Sequence, residues 1–118
     1  MTPIGNNVNE FWQNLILGKS GAAPITRFNA AAFKTRFACE VKNFDPNQYM
    51  EKAESRKLDL FTQFAFVSVD ECIKDSKLAI TDSNRSKIGV VWGSGMGGMI
   101  TYEEGMFDFF QNNKGMRQ

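Results

Sequence analysis

The sequence predicts an α/β fold, because helical and strand patterns alternate along its 118 residues. Apolar side chains recur every three to four positions in three segments, and two short segments between them have a strand pattern. A content of 42% hydrophobic and 23% charged residues is ordinary for a globular domain. Length and composition therefore predict a single domain over residues 1–118.

The first helix is predicted from the segment NNVNEFWQNLILGKSG. Asn7 suits the N-cap, Glu10 the third helical position, and Gly18 the C-terminal stop. The spacing i, i+3, i+4, i+7 and i+8 places one apolar face on this helix: Val8, Phe11, Trp12, Leu15 and Ile16.

The segment after this helix predicts an irregular connection and then a short strand. Pro24 and the alanine-rich FNAAAF favour irregular backbone. In FACEVKNF, Phe37, Cys39 and Val41 alternate with more polar positions, which is the period of a half-buried strand.

A long helical pattern follows, from about Asn47 to Ser76. Between Leu58 and Cys72 it is apolar on nearly every face, so this helix should be buried on several sides. One domain of this length can hardly cover such a helix alone.

The rest of the chain predicts a turn, a strand and a helix. ITDSNRS is typical of a turn, and KIGVVW of a short buried strand. TYEEGMFDFFQNN predicts a helix in which Thr101 and Glu104 form a capping box.

Composition narrows the function classes. A net charge of +1 argues against nucleic-acid or membrane binding, and no apolar run is long enough to cross a membrane. The N-terminus has no signal-peptide pattern, so a cytoplasmic location is expected. Without histidine, and with only Cys39 and Cys72, the chain predicts no metal site and no Ser-His-Asp or Cys-His catalysis. Both cysteines should be reduced.

The segment VVWGSGMGGMI is the most informative motif. Gly93, Gly95 and Gly98 spell G-x-G-x-x-G, but a dinucleotide site needs an acidic residue about twenty positions later, after a second strand. Residues 112–114 are Asn-Asn-Lys, and Gly98 is not followed by the Lys-Ser/Thr of a P-loop. A glycine-rich turn at a close backbone approach is the plainer interpretation.

A third interpretation comes from the order of the segments. TPIGNNVNEFWQNLILGKSGAAPITRF, FACEVKNFDPNQYM, SRKLDLFTQFAFVSVDECIKDS and IGVVWGSGMGG resemble, in order, the N-terminal part of a β-ketoacyl-acyl carrier protein synthase. The resemblance is to the type II elongating condensing enzymes and covers essentially the whole chain.

The resemblance implies a partial thiolase-like αβαβα fold over residues 1–118, lacking the first strand and the C-terminal half. The family elongates acyl chains by decarboxylative condensation with malonyl-acyl carrier protein, as a homodimer without a cofactor of its own. Phosphopantetheine arrives on the carrier protein. The family's catalytic cysteine, two histidines and lysine would all lie beyond this segment, so Cys39 and Cys72 are structural by resemblance.

The resemblance also implies two sites. Gly95, Met96 and Gly97 would line the acyl pocket, where glycine permits close approach and methionine is an adaptable apolar plug. The alternative is that Met96 only fills the core.

The second implied site would face the carrier protein with Lys52, Arg56 and Lys57. Cations near a helix N-terminus are unfavourable because they oppose the helix dipole. A sequence that keeps them there is consistent with a binding patch for an anionic partner. The position of Ala53, which is often basic in the family, departs from the pattern. The alternative is a solvated helix start whose charges Glu51 and Glu54 compensate.

Three function classes stay open. The chain is a segment of a condensing enzyme, a non-catalytic truncated paralogue that pairs with a full synthase or with carrier protein, or a fragment without a role. In each case the 118 residues alone should have no condensing activity and should not form a stable monomer.

Overall fold

The computed structural model describes residues 1–112, which fall into two compact units, Met1–Asp45 and a second unit that begins at Pro46. The elements are α1 (Val8–Ile16), β1 (Ala23–Pro24), β2 (Phe37–Ala38), α2 (Lys52–Ser55), α3 (Leu60–Ser76) and α4 (Met99–Asn112), with 3-10 turns at Pro46–Gln48 and Arg85–Lys87. This mixture of helices with a small sheet is consistent with part of an α/β domain. No helix among residues 1–112 is long and apolar enough to cross a membrane.

Helix α1 forms as its sequence predicts. The Asn7 side-chain oxygen accepts a hydrogen bond from the backbone N–H of Glu10 at 2.8 Å. The Glu10 carboxylate in turn accepts from the backbone N–H of Asn6 at 2.8 Å. The helix ends at Leu17, and Gly18 follows with a φ of 64°. Both ends of α1 are therefore set by residues next to them.

The predicted apolar face of α1 is present and, apart from the half-buried Phe11, is largely exposed. Val8, Trp12 and Leu15 are 59%, 56% and 47% exposed, and no residue of α1 is buried. In the first unit, Ala30 is the buried hydrophobic residue, at 8% exposure. The first unit thus has almost no apolar core of its own.

Polar side chains hold the first unit together instead. The Asn14 amide donates to the carbonyl oxygen of Ile4 at 2.6 Å, close to the N-terminus. The Asn6 amide donates to the carbonyl of Lys42 at 2.8 Å, and the Lys42 ammonium donates to the carbonyl of Gly21 at 2.8 Å. These bonds join segments up to 36 residues apart in the sequence.

The sheet of the first unit differs from the prediction. β2 spans only Phe37–Ala38 and pairs antiparallel with Ala23–Pro24, where an irregular connection was expected. Phe37 and Cys39 are exposed, whereas Ala38 and Glu40 are half-buried, so the predicted alternation is reversed over residues 37–40; Val41 is half-buried, as predicted.

Hydrogen bonds to Glu40 account for this reversal. Its carboxylate accepts from the Thr26 hydroxyl at 2.7 Å and from the Thr26 backbone N–H at 3.2 Å. The hydroxyl bond lowers the pKa of Glu40; desolvation opposes it, and backbone N–H groups and the charge of Arg27 add to it. Alternation in sequence cannot show which face meets such a partner.

In the second unit, the helical pattern predicted over 47–76 is confirmed but is interrupted. It consists of the 3-10 turn Pro46–Gln48, α2 and α3, with a break at residues 56–59. The turn predicted near residue 81 also forms, because the Asn84 side chain accepts from the backbone N–H of Thr81 at 2.7 Å.

The burial predicted for α3 on several sides is incomplete. Gln63, Ala65 and Val67 are buried, but Phe66 is 53% exposed and Phe64 is half-buried. The described part of the second unit supplies too few apolar partners to surround a helix that is apolar on every face. The expectation that one such domain can hardly cover this helix agrees with that exposure.

The strand predicted at KIGVVW is wrong for this structure. Residues 88–92 form no ladder, and Val90 and Val91 are 60% and 100% exposed. A strand requires a neighbouring strand to satisfy its backbone groups, and no other described residue pairs with this segment.

Candidate functional site: the basic turn and the glycine loop

Residues 56–59, here called the basic turn, connect α2 to α3 and carry Arg56 and Lys57. The buried side chain of Gln63, 9% exposed, donates to the carbonyl oxygens of Ser55 and Leu58, both at 2.9 Å. Ser55 is itself buried and donates through its hydroxyl to the carbonyl of Lys52 at 3.1 Å. A fixed backbone thus lies under the exposed cations.

The cations of this region are Lys52, Arg56 and Lys57, and all three are exposed. None forms an ion pair with another of residues 1–112; the pairs in that range are Lys74 with Asp70 and Arg85 with Asp82. Compensation through salt bridges to neighbouring glutamates is therefore not observed. The three positive charges therefore lie exposed on the surface of the described residues.

Residues 93–98, here called the glycine loop, lead into α4. Gly95 and Gly97 are exposed, and the Met96 side chain is 74% exposed. Residues 1–112 therefore leave most of the Met96 side chain uncovered.

Only some of the glycines are required by contacts in the described residues. A Cβ at Gly97 would lie 2.9 Å from the Cζ atom of Phe61, closer than real Cβ contacts allow. Gly98 has a φ of 73°, which L residues rarely adopt. A Cβ at Gly93 or Gly95 would meet nothing. Of the three glycines in the G-x-G-x-x-G spacing, Gly98 alone is therefore required by the backbone of the described residues.

The start of α4 differs from the predicted capping box. The helix begins at Met99, so Thr101 lies in its first turn rather than at the N-cap. Its hydroxyl donates to the Oδ1 atom of Asp59 at 2.8 Å instead of capping toward Glu104. Asp59 is the N-cap residue of α3 by position but makes no side-chain cap bond there.

The structure thus brings both predicted sites to the beginning of α3. The basic turn ends at Asp59, which contacts α4, and Phe61 lies under the glycine loop. Sequence reasoning placed the cations and Met96 but missed Asp59, Phe61 and Gln63. Of these three residues, only Gln63 could have been recognised from the sequence. It is an amide within an apolar run, and a buried amide requires hydrogen-bond partners.

The described residues show no other chemistry-bearing cluster. Cys39 and Cys72 are free and exposed. No group of three or more cysteine, aspartate and glutamate side chains among residues 1–112 is placed to hold a metal. What the arrangement offers is an exposed cationic turn beside a glycine loop that presents one apolar side chain.

A match to a known protein family covers nearly the whole chain. The model of the family "Beta-ketoacyl synthase, N-terminal domain" matches residues 1–117. The chain belongs to this family.

Curated relatives agree with that match. The chain is 46% identical over 104 residues to 3-oxoacyl-[acyl-carrier-protein] synthase 2 of Coxiella burnetii, covering 88% of this chain and 25% of the relative. It is 41% identical over 104 residues to the synthase 2 of Synechocystis sp., with the same coverage, and 43% identical over 105 residues to that of Vibrio harveyi, covering 89% and 25%. The chain spans a quarter of the length of these relatives.

Proposed function

We propose that this chain is the N-terminal part of a thiolase-like 3-oxoacyl-acyl carrier protein synthase, an acyltransferase of fatty acid biosynthesis. The synthase elongates acyl chains by two carbons through decarboxylative condensation with malonyl-acyl carrier protein. The family match over residues 1–117 carries this proposal. The names of the relatives support the reaction class and the carrier-protein substrate.

Within that reaction, the chain contributes binding surfaces rather than the reacting groups. The condensation requires the family's Cys-His-His site, and the chain contains no histidine. The 118 residues alone are therefore inactive, and the site is completed by the family's C-terminal part. The complete enzyme is a cytoplasmic homodimer that uses no cofactor beyond the phosphopantetheine of its substrate.

The glycine loop forms a wall of the acyl pocket. Gly95, Met96 and Gly97 let a slim chain approach the backbone, and the Met96 side chain closes the pocket by changing its rotamer at low cost. The exposure of Met96, at 74%, supports a role outside the core of these 112 residues.

The basic turn docks the acyl carrier protein. Lys52, Arg56 and Lys57 are exposed and unpaired among residues 1–112, while the backbone beneath them is held by Gln63. Unpaired cations on a fixed backbone attract an acidic partner without first breaking a local salt bridge.

A chimeric synthase tests the function. In it, this chain replaces the matching N-terminal segment of the Coxiella burnetii synthase 2, and elongation of acyl-acyl carrier protein with malonyl-acyl carrier protein is measured. We expect elongated products from the chimera and none from the 118 residues alone. A folded chimera without activity would contradict the proposal, and binding of carrier protein by the isolated chain would then favour a non-catalytic binding module.

Two variants of the chimera test the sites separately. Arg56→Glu with Lys57→Glu should slow carrier-protein association at low ionic strength, and salt should narrow the difference from the parent. Lys74→Glu is the matched control, because Lys74 is exposed but pairs with Asp70 on α3.

Met96→Trp should shorten the longest product. Unchanged association or unchanged product lengths would remove the corresponding site from the mechanism.

A further inference from the structure

The glycine loop is held at two points by the start of α3. The Thr101 hydroxyl donates to Asp59 Oδ1 at 2.8 Å, which ties the first turn of α4 to α3. A Cβ at Gly97 would lie 2.9 Å from Phe61 Cζ and 3.3 to 3.4 Å from the neighbouring ring carbons, so the ring lies directly against the loop. Because Met96 precedes Gly97, this ring limits where the Met96 backbone can lie.

The Asp59 carboxylate is used for this long-range contact rather than for its own helix. Aspartate at an N-cap position ordinarily accepts a hydrogen bond from the first turn of the helix that follows. Asp59 makes no such bond; its Oδ1 accepts from Thr101, 42 residues away, and its Oδ2 lies 3.5 Å from the Cβ position of Gly98. Both carboxylate oxygens thus face the end of the glycine loop and the start of α4.

We infer that Asp59 and Phe61 are positioning residues that set the location of Met96 and, through it, the acyl-chain length that the pocket accepts. The second part of this inference rests on the proposed acyl-pocket function. The first part, that Asp59 and Phe61 fix the position of the loop, rests only on the Asp59–Thr101 hydrogen bond and the contact of Phe61 with Gly97.

The two residues should act in the same direction. Phe61→Leu removes the ring atoms nearest Gly97 and lets the loop move toward α3, which widens the space beyond Met96. Asp59→Ala releases Thr101 and loosens the junction of the loop with α4. Both changes should allow longer products, and Phe61→Leu should do so without altering the affinity for malonyl-acyl carrier protein, because Phe61 lies outside the basic turn.

The test uses the chimeric synthase and two readouts. Backbone amide exchange over residues 93–101 reports the hold on the loop, and the distribution of product lengths reports the pocket. Asp59→Ala, Thr101→Val and Phe61→Leu remove the contacts, whereas Asp59→Asn and Thr101→Ser keep an acceptor and a donor. Asp70→Ala is the matched control, because Asp70 lies exposed on the same helix and pairs with Lys74.

We expect Asp59→Ala and Thr101→Val to speed exchange in the loop about fivefold, the effect of losing about one net hydrogen bond. Phe61→Leu should also speed exchange, because it removes the ring contact with Gly97. Asp59→Asn, Thr101→Ser and Asp70→Ala should stay within about twofold of the parent. Combining Asp59→Ala with Thr101→Val should add little to either change, since both remove the same bond. The longest product should lengthen by at least one two-carbon step in all three variants, and in Phe61→Leu the KM for malonyl-acyl carrier protein should be unchanged.

Each outcome decides a separate part. Unchanged exchange in Asp59→Ala and Phe61→Leu would overturn the positioning role. Faster exchange with unchanged product lengths would overturn the acyl-chain assignment while leaving the positioning role in place. A chimera that elongates nothing would contradict the proposed function, and the exchange rates would still decide whether Asp59 and Phe61 hold the loop.

Discussion

Helices α1 and α3 are both rich in apolar side chains, and different kinds of contact define them. Each end of α1 is set by residues within a few positions, through the Asn7 cap and the stop at Gly18. The start of α3 is set by bonds to other elements, through Asp59 to α4 and through Gln63 to the end of α2. The limits of an amphipathic helix can therefore be predicted correctly while most of its apolar face stays exposed among the described residues.

The exposed apolar residues should have the largest consequence. Leaving large apolar side chains in water forfeits about 1.5–3 kcal/mol each, against a typical stability of about 5–15 kcal/mol for a domain. We therefore expect the isolated 118-residue chain to self-associate, as seen by size-exclusion chromatography with light scattering. A monomeric peak with a cooperative thermal transition would contradict this.

Variants separate the contributions of the two helices. Leu15→Glu with Ile16→Lys places charges on the exposed apolar face of α1. This change should reduce association more than Phe66→Glu, which changes the most exposed large apolar side chain of α3. Gln13→Lys, at an exposed polar position of α1, is the control. If both variants reduced self-association equally, the exposed face of α1 would contribute no more to association than Phe66 of α3.

Removal of the Gln63 side chain should have the next largest effect. Gln63→Ala deletes both hydrogen bonds that hold the ends of the basic turn, at about 1–3 kcal/mol. In the chimera we expect at least tenfold faster amide exchange at residues 55–58 and weaker carrier-protein binding. Gln13→Ala in α1 is the matched control, because Gln13 is exposed. Similar exchange in both variants would show that the turn does not depend on Gln63.

The caps of the two helices should respond differently to alanine. Asn7→Ala removes a local cap worth about 1 kcal/mol and should speed exchange of the Glu10 amide about fivefold, with Asn7→Ser close to the parent. Asp59→Ala should leave the first-turn amides of α3 unchanged, because Asp59 makes no cap bond there. Faster exchange in the first turn of α3 would contradict the comparison.

The smallest effect concerns Glu40 in the first unit. Its pKa is lowered chiefly by the Thr26 hydroxyl, so the stabilisation is fully present above the ordinary value of 4.5 and is lost as pH falls through the lower folded value. Thr26→Val should move the pKa of Glu40 upward in a carboxyl NMR titration. Thr35→Val, at an exposed threonine, should not. Identical titrations would show that the hydroxyl bond does not form in solution.

The sequence by itself determined the features that depend on neighbours in the chain. The limits of α1, the turn at residues 81–84 and the helical character of most of residues 47–76 follow from caps, turn residues and periodicity, all acting over a few positions. The limits of α1, the turn and the helical segment were predicted correctly because the interactions behind them close within about one helical turn. The roles given to the glycine loop, Met96 and the cations of the basic turn come from the resemblance and stay predictions.

Tertiary structure alone decided the features that need a distant partner. The inner face of β2 was predicted wrongly because alternation does not say which side meets Thr26, and KIGVVW forms no strand because pairing requires a second strand. Asp59 occupies the N-cap position of α3, yet its carboxylate accepts a hydrogen bond from the hydroxyl of Thr101, 42 residues away. A side chain that could bond to several donors or acceptors bonds to the one nearest in space. Which group is nearest, when the residues are tens of positions apart in the sequence, is decided by the folded chain.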